Sequence, residues 1–288
     1  MASNNMSDIK RRIKSINSTE HITNAMKLVS AAKLRKAKNT FDRTNQYSRY
    51  IIESITDILN DTTDIPQKYL EGSNSAGKNC YIIITSGRGL CGSFNTNVIK
   101  EAELRMEADT GEAILVPIGL KGKEYFEKRG MEIYTSFLEP TEDIPFSEAR
   151  RISRLVIDLY ERGVVDSIML VYTSFINNLE QKAVCEQLLP FVPYEDEDAH
   201  PVDKEVEYGP SMDAVFNYLI PKYIEMLVYG AIVESATCEH AARRIAMENA
   251  TDNARDILGK LSLTYNRARQ AAITNEIIEV VSGSEAQK

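Results

Sequence analysis

The chain has no tryptophan, three histidines and four cysteines. It has no proline before Pro66 and no glycine before Gly72. Each scarcity excludes something. Cys80, Cys91, Cys185 and Cys238 form no CxxC pair, so with so few histidines a zinc site is not expected. Cys80, Cys91 and Cys185 lie in or beside apolar segments, as free buried thiols do in a reducing compartment. No run of about 18 apolar residues occurs, so no membrane-spanning helix is expected. The start, MASNNMSDIK, has no apolar stretch behind a charged end, and Asp8 precedes the first arginine, Arg11. Neither a secretory signal nor a transit peptide is expected there.

The missing breakers leave about 65 residues free to run as one helix. Ser7 can cap it, with Asp8 favourable in the first turn. Ile9, Ile13 and Ile16, then Ile22, Met26 and Val29, then Ile51, Ile55 and Ile58 recur at steps of three and four, the mark of one apolar stripe. A helix from Ser7 to Thr62 would be roughly 85 Å long. From Pro221 to Ser282 there is no further proline and only Gly230 and Gly259 interrupt. Leu258, Leu261, Tyr265, Ala268 and Ala272 form a two-heptad seam there. Pro221 suits a first helical turn, or a kink after a helix over 211–220. A lone helix of such length cannot bury its stripe, so the two ends of the chain are natural partners. Periodicity leaves their relative direction open. Ala25, Ala31, Ala32, Ala37, Ala241, Ala242, Ala246, Ala250 and Ala254 are the small knobs expected along a thin seam.

The middle has a different character. Cys80–Thr85, Ala113–Ile118, Val165–Thr173 and Lys182–Leu189 read as strands, with a further short one over Met131–Ser136. Asn95–Ala108, Gly122–Arg129 and a capped amphipathic stretch at Phe146–Arg162 read as helices. Their alternation implies an open, largely parallel, Rossmann-like α/β domain inserted between the long helices. The expected divisions are 1–65 for the first helix, 77–194 for the domain, 195–210 for an acidic linker, and 211–288 for the last helix.

Charge is uneven. Residues 1–50 carry 11 Lys/Arg against 3 Asp/Glu, a balance of +8 in a chain whose net charge is −8. The remainder therefore carries −16. Basic residues here alternate with apolar ones at helical spacing, without the stacking aromatics of a nucleic-acid face. An acidic protein partner is expected in preference to nucleic acid or an anionic membrane.

Two motifs point toward nucleotide chemistry. Gly87-x-Gly89-x-x-Gly92 follows a strand into a helix as a dinucleotide fingerprint does, but the second strand ends Ile118-Gly119-Leu120-Lys121, without the acid that binds a ribose. A structural turn at Gly87, Gly89 and Gly92 is the favoured reading. A nucleotide-binding α/β enzyme is the alternative. Gly72-x-x-x-x-Gly77-Lys78 lacks the Ser/Thr of a phosphate loop and precedes a strand. His21, His200 and His240 are expected on the surface, and no nucleophile triad assembles around them. Rods and a small α/β body without an evident active site point to a mechanical or scaffolding role.

Three blocks carry a resemblance. IKRRIKSINSTEHITNAMKLVSAAKLRKA (Ile9–Ala37), GLCGSFN (Gly89–Asn95) and AARRIAMENATDNARDILGKLSLTYNRARQAAITNEIIEVVSG (Ala241–Gly283) resemble the gamma subunit of bacterial F-type ATP synthases, in that family's order and spacing. The resemblance implies an antiparallel, left-handed coiled coil whose tip sits in a ring of three alpha and three beta subunits. It implies an α/β domain beside the epsilon subunit and a foot on the membrane-embedded c-ring. Such a rotor couples c-ring rotation to ATP synthesis by beta and regulates ATPase activity. It has no catalytic residue, metal or cofactor of its own. Met26 and Lys27 resemble the contact with acidic beta loops. Arg267, Arg269, Gln270, Thr274 and Glu276 resemble the cluster that engages alpha and beta. Glu207 and Tyr208 fall at the foot, although the acidic stretch and EYGP depart from the aromatic-rich form common there. No cysteine-bearing regulatory insertion of the chloroplast kind is present. The implied place is the cytoplasmic face of a bacterial membrane, reached indirectly through the c-ring.

Overall fold

The computed structural model describes residues 2–60, 67–70, 77–191 and 212–285. Two very long helices bracket everything else. Helix α1 spans Ala2–Asn60, and α6 spans Met212–Glu285. Between them lie α2 (Gln67–Leu70), β1 (Lys78–Ile84), α3 (Phe94–Ala108), β2 (Glu112–Ile118), α4 (Leu120–Lys128), α5 (Phe146–Glu161), β3 (Ser167–Phe175) and β4 (Gln181–Leu189). The chain divides into two compact units, Met1–Ala31 with Arg243–Lys288, and Ala32–Ala242.

The larger unit is built on a four-stranded sheet of order β2-β1-β3-β4. β1 pairs in parallel with β2 and β3, and β4 returns antiparallel to β3. The apolar runs of β1, β2 and β3 are explained by cover on both faces. Side chains alternate along a strand, so Cys80, Ile82 and Ile84 enter one core while Tyr81 and Ile83 enter the other. The first core receives Ile152 and Val156 of α5, and Phe216, Ile220, Ile224, Val228 and Ile232 of α6. Those α6 residues recur every fourth position, which keeps them on one helical face. The second core receives Val98, Ile99 and Ala102 of α3, and Phe126 of α4.

Several local expectations change. α1 begins at Ala2, so Ser7 is an interior residue and not its cap. Nothing in Ala2–Met6 breaks a helix. α5 starts after Pro145 with no side-chain cap bond. Its stability comes instead from burying Ile152, Val156 and Tyr160. The strand expected over Met131–Ser136 makes only isolated parallel bridges, Leu115 to Ile133 and Ile118 to Phe137. Pro221 lies inside α6, which continues through it. The acidic stretch 195–210 lies outside the described residues.

The smaller unit is an antiparallel helix pair. Arg255 Nε donates to Glu20 Oε1 at 3.0 Å, and Thr251 Oγ1 donates to Thr23 Oγ1 at 2.8 Å. Numbering falls on one helix as it rises on the other, which fixes the direction that periodicity left open. On α6 the expected seam holds: Leu258, Leu261, Tyr265, Ala268 and Ala272 are all half-buried among exposed neighbours. On α1 the seam differs from the apolar stripe. Ile9 is buried and Ile13 and Ile16 are half-buried, but Ile22 and Val29 are exposed, while Thr23 and Ser30 are buried. Ala25, Ala31 and Ala32 are exposed too, whereas Ala241 and Ala254 are buried.

Truncating a fully buried strand residue should unfold the larger unit more readily. Ile82→Ala is expected to lower stability by about 2–5 kcal/mol, measured by urea denaturation.

Candidate functional site

The end of α6 carries most of the expected contact residues, and all five are exposed. At 100° per residue they fall into two sets. Arg267, Gln270 and Thr274 share the face turned away from the Leu258–Ala272 seam. Arg269 and Glu276 lie on the flank of that seam. Thr274 Oγ1 donates to the Gln270 carbonyl at 2.9 Å, which links the outward set along the helix. On α1, Met26 and Lys27 are half-buried. Lys27 follows Thr23 by four residues and precedes Ser30 by three, so it stands in the polar part of the seam. Glu207 and Tyr208 lie outside the described residues.

One feature escaped the sequence reading of the site. The pairing of Glu20 with Arg255 and Thr23 with Thr251, continued at the same rise, brings the start of α1 level with roughly residue 272. α6 runs on to Glu285. Ile273, Ile277, Ile278, Val280 and Val281 are exposed, at 46–72%. These apolar side chains cover about 160° of the helix, on the side turned away from the Leu258–Ala272 seam. The signal that could have found them was an apolar stripe that changes face after Ala272.

The glycine turn after β1 is closed by its own side chains. Asn95 Oδ1 accepts from the Ser86 amide at 2.9 Å, and Asn95 Nδ2 donates to Ser86 Oγ at 2.7 Å and Cys91 Sγ at 3.3 Å. Neither Gly87 nor Gly89 is crowded: a Cβ there would meet nothing within 4 Å. The tight approach is at Gly119, φ +94°, where a Cβ would lie 2.1 Å from the Thr85 carbonyl oxygen. Thr85 Oγ1 then accepts from the Gly122 amide at 2.8 Å and donates to the Ile118 carbonyl at 3.1 Å. The carboxyl ends of β1 and β2 are thus tied together by protein groups.

Thiol chemistry is suppressed. Burial pushes the Cys80 thiol up to about 12 and Cys185 up to about 11, and it raises Cys238 as well. No reactive thiolate forms at neutral pH under such conditions. Among the described residues, no group of three or more His, Cys, Asp or Glu could hold a metal ion. No helix there is long and apolar enough to cross a membrane.

His240 corrects an expectation. It is buried at 3% exposure, not on the surface, and its Nε2 faces the Glu142 carboxylate.

Two long terminal helices flanking an inserted α/β domain narrow the class of protein to one built on long helices. Comparison makes this specific. A family model described as ATP synthase matches residues 5–287. The ATP synthase gamma chain of Alkaliphilus metalliredigens is 45% identical over 287 residues, covering 98% of this chain and 99% of that one. That of Moorella thermoacetica is 40% identical over 284 residues, covering 98% and 99%. A chain of the Euglena gracilis mitochondrial ATP synthase rotor superposes with a TM-score of 0.67 at 19% identity, over 94% of this chain and 99% of that one. A chain from that organism's OSCP/F1/c-ring structure gives 0.69 at 17% identity, over 99% and 95%. At such identities the structures speak for the fold alone. This chain belongs to the ATP synthase gamma chain family.

The Thr23–Thr251 contact should behave as a coupled pair. Thr251→Val is expected to cost about 1 kcal/mol, and Thr23→Val added to it should cost little more. Urea denaturation of the four members of the cycle measures this.

Proposed function

We propose that this chain is the rotating shaft of an ATP synthase and makes no ATP itself. The observation that carries the reading is the bare end of α6. It outruns its partner helix and presents Ile273, Ile277, Ile278, Val280 and Val281 to solvent. Burying a side chain of that size contributes about 1.5–3 kcal/mol. A collar of alpha and beta subunits with an apolar lining would hold such a tip while leaving it free to turn.

The polar residues beside it have another task. Exposed ion pairs contribute about 0–1 kcal/mol each, so Arg267, Arg269, Gln270, Thr274 and Glu276 serve angular register more than affinity. Arg267, Gln270 and Thr274 point one way and Arg269 and Glu276 another, so different alpha and beta loops are engaged as the shaft turns. Met26 and Lys27, in the basic arm, meet acidic beta loops by charge complementarity. Glu207 and Tyr208 would contact the c-ring and epsilon at the foot. The shaft would then be peripheral, at the cytoplasmic face of a bacterial membrane, joined to it through the c-ring and driven by ion flow. The nucleotide-enzyme alternative loses support because Asn95 already occupies the Ser86 amide and hydroxyl.

The purified chain should hydrolyse no ATP alone, yet confer cooperative hydrolysis on its alpha and beta partners. Deleting 271–288 should weaken assembly and torque while the urea transition of the larger unit is retained. Robust ATPase activity of the isolated chain would sink the proposal.

A further inference from the structure

Between α4 and α5 the chain makes one short 3-10 turn, Thr141–Asp143, which reaches both long helices within the larger unit. Thr141 is buried, and its Oγ1 donates to Glu239 Oε2 of α6 at 2.9 Å. The next residue divides its carboxylate between the helices. Glu142 Oε1 takes Lys33 Nζ from α1, and Glu142 Oε2 faces His240 Nε2 from α6. The turn is not a loose surface loop. Pro140 and Pro145 restrict the backbone on either side, and Ile144 is inserted in the main core. Burial would push the Glu142 carboxyl up, but Lys33 and His240 hold it below its ordinary value.

Packing does not do this work at the same place. A cavity of about 220 Å³ opens beside the turn, lined by Lys36, Thr40, Asp143, Tyr229 and Val233 among others. The charged node therefore bridges a gap that side-chain packing leaves open.

A second node touches the same two helices. The Phe175 ring meets Phe41 of α1 at 5.8 Å between centroids and lies 5.5 Å from Lys38 Nζ. The Phe175 amide donates to Glu234 Oε1 of α6 at 2.7 Å. Positions 33 and 41 are about 12 Å apart along a helix and about 80° apart around it. One attachment is a pivot, whereas two that are offset along and around the axis resist both sliding and twisting.

We propose that Glu142 is a positioning residue for rotary coupling: shared between Lys33 and His240, it locks the rotational phase of the two long helices against the sheet domain. The inference rests on the shaft reading for its consequence, but the lock itself is a property of the chain. Removing the carboxylate takes away the group that Lys33 and the buried His240 share, and α1 is then held further along, at Phe41 against Phe175 and at Ile51 against the main core.

Two measurements test it. The first uses the complete ATP synthase in vesicles, with Glu142→Gln, Lys33→Gln and the double variant, and compares ATP hydrolysis with ATP-driven ion uptake. Glu142→Gln should keep most hydrolysis yet lower ions moved per ATP about threefold or more, within the range a coupling residue commands. Lys33→Gln should act in the same direction, and the double variant should be no worse than Glu142→Gln, because both cut one link. Equal loss of both activities, an unchanged ratio, or additive losses would overturn the proposal. The second uses the isolated full chain, spin-labelled at Asn39→Cys and Ser147→Cys in a Cys185→Ala background. Glu142→Gln should broaden the distance distribution, and an unchanged distribution refutes the lock whatever the complex does. A broadened distribution in a chain that confers no hydrolysis on alpha and beta would instead condemn the shaft reading and leave the lock standing.

Discussion

The register between α1 and α6 rests on polar contacts inside the seam. Thr23 meets Thr251, and Glu20 meets Arg255. Apolar knobs alone tolerate sliding by a heptad, since one isoleucine resembles the next. A buried hydroxyl pair resists it, because a slip removes the Thr23–Thr251 bond and leaves each hydroxyl only a carbonyl of its own helix, Glu20 for Thr23 and Met247 for Thr251. What stands where on the shaft follows from that constraint. It sets the level at which α1 ends its cover of α6, and so which residues of α6 are left bare. It also places Arg267, Gln270 and Thr274 on the outward face. The cost is a seam less apolar than a stable coiled coil would choose.

The sheet domain contributes attachment instead of chemistry. Its two cores pack α3 and α4 on one face and α5 and α6 on the other. The turn that resembles a dinucleotide loop is stitched by Asn95, and the neighbouring turn is stitched by Thr85. Burial raises the Cys80, Cys185 and Cys238 thiols and keeps them protonated at neutral pH. Of the remaining conspicuous polar groups, Glu142 binds both long helices, and Glu234 of α6 takes the Phe175 amide of β3. A body built in this way suits the proposed shaft, in which it would pass force on to the helices.

Much of this was legible beforehand for identifiable reasons. The long helices announce themselves by the absence of breakers, and Leu258–Ala272 by heptad spacing with small or apolar residues throughout. The parallel strands are apolar runs because both faces are covered. The α1 seam was misjudged because periodicity counts apolar residues as buried. There Thr23 and Ser30 are inside and Ile22 and Val29 outside, and only the partner helix explains why. His240 was misplaced for the same reason: a lone histidine on a long helix gives no sign of the Glu142 that faces it from a turn about a hundred positions earlier. The bare tip became visible only once register was known. For Arg269 and Glu276 the family resemblance supplied a role, and helix geometry supplied the face.

The central claim is that the sheet domain and the helix pair turn together inside a fixed ring. It is tested most directly by tethering the alpha and beta subunits to a surface and attaching a bead to the exposed Glu107, as Glu107→Cys in a Cys185→Ala background. With ATP, the account predicts sustained rotation of the bead in one direction at a rate that follows hydrolysis. A bead that stays still, or only fluctuates about its axis, while the same complexes hydrolyse ATP at full rate would contradict it.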